Sequence, residues 1–230
     1  MELTEKHIEE LYQFTRDHYV EWYDLQTELV DHLAANIEEI WKENPSNSFE
    51  KARDISFKKF GVFGFGDVVE EKTKALHKHY RISIFREFLQ FFRLPKIILT
   101  LFFLIGTYYL FSFFNNGYFI PFTFILTLVV IPFYQFIGRL KKFKSRNRSS
   151  NKRWMIDNVL LGTGIVHYIF LTPFQVWSEL IFKPDISQNS LIFISFSFVL
   201  AHLIHYVTTN IVRPNMQNKM AEMYPEYEII

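Results

Sequence analysis

Three histidines embedded in apolar sequence, His167, His202 and His205, are the residues best placed to do chemistry. His167 and His202 each stand about twelve residues into an apolar run, roughly 18 Å deep at 1.5 Å per residue, near the middle of a bilayer. His205 is one helical turn beyond His202 and shares its face. Ionisable groups at such depth are costly and tend to face a bundle interior, so they mark a polar site by default. Three chemistries stay open. Neutral imidazoles could bond Thr163, Tyr168, Tyr206 or backbone across helix contacts. The three could instead relay a proton or ion, or line a pocket for a small substrate. They could also ligate a metal or haem, for which imidazole is well suited. Three are too few for a di-iron membrane oxygenase.

A second constellation lies near the N-terminus. Glu28 and His32 are four residues apart and share a helix face, with Asp31 beside His32. That spacing could supply two or three metal ligands, but HExxH is absent, and the same residues equally suit a solvated face that meets a partner. Which metal, if any, stays open, and no cofactor is expected. No P-loop, GxGxxG, GxSxG or DFG occurs, so no catalytic residue is assigned. With no cysteine, disulfides, thiolate nucleophiles and iron–sulfur clusters are excluded.

The elements that must carry these groups divide the chain. Residues 1–77 hold 9 Lys/Arg and 17 Asp/Glu, whereas residues 78–230 hold 16 and 7, so a net +1 conceals an acidic first third. Four stretches reach the roughly 20 apolar residues that a bilayer requires: 95–114, 118–140, 154–177 and 190–212. Cations flank them unevenly. Lys141, Lys142, Lys144, Arg146, Arg148, Lys152 and Arg153 crowd the linker between the second and third stretches, while the first and third linkers carry almost none. Cationic loops stay in the cytoplasm, so both termini are expected there, in an inner (cytoplasmic) membrane. The seven cations are expected to meet anionic lipid headgroups, which explains the run without nucleic acid. The acidic domain could also dock on this linker. Asn116-Gly117 predicts a tight turn and Pro132 a kink.

The first 77 residues read as helices. Ile8, Leu11, Tyr12, Thr15, Tyr19 and Trp22 repeat at helical spacing, and Leu25, Leu29, Leu33, Ile37 and Ile40 continue it. One helix or two is open over residues 4–42, with Asp24 a candidate N-cap for a break near Tyr23. Asn47 and Glu50 have the spacing of a capping box, and Gly61 should close the helix they open. No signal peptide is expected. Residues 78–94, with Ile82, Phe85, Leu89 and Phe92 on one face, suggest an interfacial helix or an extension of the first domain. The tail, 213–230, is expected on the cytoplasmic side and frayed at its end.

Glu28-Leu29-Val30-Asp31-His32-Leu33, followed some thirty residues later by Phe57-Lys58-Lys59-Phe60-Gly61, resembles the HAAS-like helical domains that precede membrane spans in many bacterial proteins. Those domains carry a Glu-Leu-x-x-His helix and a Leu-Gly-x-Pro-like turn. Here the turn reads Phe60-Gly61-Val62-Phe63. The resemblance covers residues 4–75 and implies an interaction or signalling module attached to a membrane part, with no catalytic residues. The expectation is therefore an all-α protein: a helical cytoplasmic N-terminal domain plus a four-helix transmembrane bundle. Its function would be interaction or signalling with an unknown protein partner, and a homo-oligomer is compatible with it. The alternatives are a small transporter using the midplane histidines and a metal- or haem-dependent membrane enzyme.

Overall fold

The computed structural model describes residues 2–114, 118–150, 152–162 and 186–227, and every regular element among them is helical. The elements form two compact units. The first comprises Met1–His77 together with Asn147–Val159, and the second Lys78–Arg146 with Leu160–Ile230.

In the first unit, α1 spans Glu5–Asp17, α2 Tyr23–Glu43 and α3 Phe49–Lys58. Thr4 opens α1 reciprocally: its Oγ1 accepts from the His7 N–H, and His7 Nδ1 accepts from the Thr4 N–H. The imidazole thus takes the part usually played by Glu or Gln. Residues 4–42 make two helices. The chain turns at Tyr19, whose φ is +64°, and the carboxamide of Gln26 donates to the Val20 carbonyl at 2.6 Å to hold the corner. Leu25, Leu29, Leu33 and Ile37 form the buried stripe of α2, packed with Leu11 of α1 and Ala52 of α3.

Two local expectations shift. Asp24 falls inside the first turn of α2, not at its N-cap, which is Trp22. The cap of α3 is Ser48, whose Oγ accepts from the Lys51 N–H. Asn47 lies one residue before that cap, and its backbone carbonyl accepts the indole N–H of buried Trp41 at 3.0 Å. Gly61 and Gly64 then turn the chain with φ of +82° and +57°.

Helix α4 runs unbroken over Phe65–Gln90, and Phe91–Pro95 separates it from α5, Lys96–Phe113. The chain continues as α6 (Phe119–Ile125), a π-helical turn at Leu126–Val130, and α7 (Ile131–Ser150). Pro132 lacks an N–H, and the ladder adjusts one turn earlier, where Ile131 N–H reaches back to the Leu126 carbonyl. The basic segment after Leu140 is therefore helical, not a loop. Helix α8 spans Met155–Gly162, and α9 spans Gln188–Tyr206. A second π-helical turn, Val207–Val212, leads into α10, Arg213–Met223. The tail folds too: Met216, Met220 and Tyr227 are buried, and Arg146 lies over the Tyr227 ring at 4.9 Å.

Three described helical runs are long and apolar enough to cross a membrane: Lys96–Phe113, Phe119–Arg148 and Gln188–Met223. Their apolar side chains largely face outward, as Ile98, Phe102, Phe103 and Ile105 do on α5. Inside, Phe111, Ile120 and Ile194 make a small core with Phe124 and Leu191. Of the stretch expected at 154–177, only the start is described. Asn116-Gly117 and His167 lie outside the described residues.

Candidate functional site

The second stretch of the first unit is threaded through its core. Tyr23 N–H donates to the Arg153 carbonyl at 2.7 Å, and Arg153 Nη1 meets Glu21 Oε2 at 2.6 Å. Lys152 Nζ sits 3.9 Å above the Tyr23 ring, which also meets the Trp154 indole edge to face at 5.3 Å and stacks on Tyr12 at 6.0 Å. Trp154 is 1% exposed, and Met155, Ile156 and Val159 are buried with it. Met155 belongs to the same apolar cluster as Leu11, Leu29 and Leu33, and its sulfur accepts from the Thr73 hydroxyl at 3.8 Å. The exposed Glu21–Arg153 pair contributes little by itself. The indole and thioether buried beside it carry the joint.

Asp24 supplies the directional part. Its Oδ1 accepts from the Met155 N–H at 3.2 Å, which makes this carboxylate the cap of α8 from 131 residues away in sequence. The first N–H groups of a helix have no partner of their own, and a carboxylate there also meets the positive end of the helix dipole. Burial pushes the Asp24 carboxyl above its ordinary range. The N–H bonds from Met155 and from its own turn oppose that shift without cancelling it. Beside this joint an open groove of about 640 Å³ is lined by Arg16, Glu21, Tyr23, Gln26, Lys152 and Arg153.

The residues singled out in the sequence scatter over several places. Glu28 and His32 line a separate groove on the first unit with Asn36 and Lys59, and Glu28 is paired with Lys72 at 2.5 Å. Asp31 is exposed and does not line it. Lys141, Lys142, Lys144 and Arg148 are exposed along α7, whereas Arg146 is buried under Tyr227. Lys152 and Arg153 engage the joint. Among the described residues, no group of three or more His, Asp or Glu is placed to hold a metal.

His202 lines an apolar cavity of about 480 Å³ between α5 and α9, with Phe91, Thr100, Phe103, Thr107 and Tyr206. Its Nδ1 is 2.8 Å from the Phe198 carbonyl. A carbonyl can only accept, so Nδ1 carries the proton and Nε2 is an acceptor. His205 does not line that cavity, so the two histidines of α9 do not converge there.

Tyr23, Asp24, Trp154 and Met155 were missed as a set. Trp154 reads as the start of the third apolar stretch and Asp24 as a local cap. The available signal was charge: Lys152-Arg153 in one segment against Glu21 and Asp24 in the other.

The fold and site thus define an all-helical protein with three described runs able to span a membrane and a joint that binds residues 152–159 to the N-terminal helices. No family model, no curated protein and no solved structure matches the chain.

Proposed function

We propose that the chain is a multi-pass protein of the bacterial inner membrane, with both termini cytoplasmic, whose N-terminal helical unit is an interaction or signalling module. The observation that carries the proposal is the Asp24–Met155 bond with Trp154 buried beside it. A displacement of α1 and α2 by a partner must move the residues that lead into the third apolar stretch. The unequal cations of the linkers support the orientation. The likeness to HAAS-like domains over residues 4–75 supports the module reading. So do three large apolar side chains left open on this unit, Tyr19, Val62 and Phe63, at 90%, 97% and 76% exposure.

The chain has no cysteine, so Cys introduced at Glu21 and Arg153 are its only thiols, and a short bifunctional thiol crosslinker between them locks the joint. In the full-length protein in native membranes, a photo-reactive residue at Phe63 should capture one protein partner, and the yield should change when the joint is locked. Equal yields with the joint locked and free would sink the coupling; capture of nothing but lipid would sink the partner.

A second reading, a small transporter, is favoured by the apolar cavity that presents His202 Nε2 between two candidate spans. Transport by that route requires flux to fall in His202→Leu.

A further inference from the structure

Helices α5 and α9 run antiparallel within the second unit. At one end Phe91, just before α5, meets Tyr206 edge to face at 6.1 Å, and at the other Phe111 meets Phe198 at 5.2 Å. One turn from that second contact stand Thr107 on α5 and His202 on α9, so the register brings them level across the cavity that both line. Each brings an unused polar atom. The hydroxyls of Thr100, Thr123 and Thr127 return to a carbonyl one turn back, whereas that of Thr107 makes no hydrogen bond among the described residues. His202 uses Nδ1 on the Phe198 carbonyl, which leaves Nε2 an acceptor with no partner among the same residues.

Thr107 lies about 16 Å along α5 from Lys96, a depth at which a bilayer offers no water to satisfy either group. A single water could bridge the pair, but its share of about 30 Å³ leaves most of the 480 Å³ void. An acyl chain fills the void and brings no donor. Both costs are removed by a molecule with an apolar body and one hydroxyl, whose O–H donates to His202 Nε2 while its oxygen accepts from Thr107. The walls select the body. Phe91, Phe103, Phe198 and Tyr206 surround the space, and aromatic walls favour an aromatic ring through edge-to-face contacts beyond simple burial. Leu99, Phe103 and Tyr206 are about half exposed, so the slot opens on the outer side of the helix pair, where a lipid-soluble molecule can enter.

We propose that the slot between α5 and α9 binds an apolar phenol whose hydroxyl bridges Thr107 and His202. This deepens the transporter reading above by naming a ligand class, and it rests on that reading's placement of the two helices in a bilayer.

The test is saturable retention of radiolabelled 4-hexylphenol by the full-length chain in phosphatidylcholine nanodiscs, with retention by empty discs subtracted. Hexylbenzene, which lacks the hydroxyl, and 1-nonanol, which lacks the ring, serve as competitors. The phenol should bind about tenfold or more tightly than hexylbenzene, because the analogue leaves the polar pair unmet, and more tightly than nonanol. His202→Leu should erase the preference over hexylbenzene while keeping hydrocarbon binding. Should that variant fail to fold, Thr107→Val carries the test: it should weaken phenol binding severalfold and leave hexylbenzene unchanged. No saturable retention, equal affinity for phenol and hexylbenzene, or a preference untouched in both variants overturns the site, and nonanol binding as tightly as the phenol overturns the aromatic assignment. Retention does not report flux. Phenol binding without any flux keeps the site and removes the transporter, whereas a His202-dependent flux without phenol retention does the reverse.

Discussion

The Oδ1 of Asp24 and the backbone nitrogen of Met155 stand 3.2 Å apart, joining the second helix of the N-terminal unit to the first turn of α8. Side-chain caps commonly come from the residue just before a helix, where chain geometry delivers them at little entropic cost. Here the cap arrives from another helix, and its loss would free both the end of α8 and the side of α2.

Asp24→Ala should therefore lower stability by about 1 kcal/mol, the usual cost of a lost N-cap. Hydrogen exchange at the Met155 and Ile156 amides should accelerate more than at the centre of α2. Uniform acceleration across both helices would contradict the cap.

The pH dependence has a definite sign. The folded carboxyl of Asp24 holds its proton more tightly than the unfolded one, whose value is 3.8. Between those two points the folded state binds more protons, so the contribution of this group to stability falls as pH rises from about 3.8 through the raised folded value. Asp24→Asn keeps an acceptor for Met155 without the charge, and should flatten that part of the profile in denaturant titrations from pH 3 to 8.

Trp154 and Arg153 are adjacent, but their replacements should differ sharply. Trp154→Ala empties a fully buried site and should cost about 3–5 kcal/mol. Arg153→Gln removes one partner of an exposed pair and should cost no more than about 1 kcal/mol. Chemical denaturation of the full chain in detergent, followed by Trp and Tyr signals, separates the two.

Gly64 and Gly66 give a second contrast. A Cβ at Gly64 would stand 2.7 Å from the Phe57 ring, on a backbone with φ of +57°, whereas one at Gly66 meets nothing within 4 Å. Gly64→Ala should destabilise by about 1–3 kcal/mol. Gly66→Ala, in the first turn of α4, should be neutral or stabilising by up to about 1 kcal/mol. Melting of each variant checks the order.

For His202, nitrogen NMR of the labelled imidazole should show the proton on Nδ1, as the Phe198 carbonyl demands. A signal from the opposite tautomer would mean that this bond is not formed in the bilayer.

Much of the local fold was legible. The four-residue spacing of Leu25, Leu29, Leu33 and Ile37 identifies the buried stripe of α2, because periodicity depends only on near neighbours. The corner at Tyr19 was not, since a bulky residue at positive φ follows from tertiary closure, here through Gln26 and Val20. Pro132 predicts a kink, and the structure places a π-helical turn just before it, whose position depends on how the ladder redistributes. The joint was hidden for another reason. Trp154 beside Lys152 and Arg153 has the composition of a membrane interface, and only the fold shows that it packs on Tyr23.

The inclusion of residues 147–159 in the N-terminal unit also bears on biosynthesis. When His77 leaves the ribosome, the pocket that Trp154 and Met155 will fill is still empty. At about 5–20 residues per second, roughly 4–16 s pass before Val159 is made. During that interval the two apolar runs Lys96–Phe113 and Phe119–Arg148 are made while α1–α3 wait with an open core. The order of synthesis thus makes completion of the N-terminal unit wait until the two long apolar runs that separate its two segments have been made.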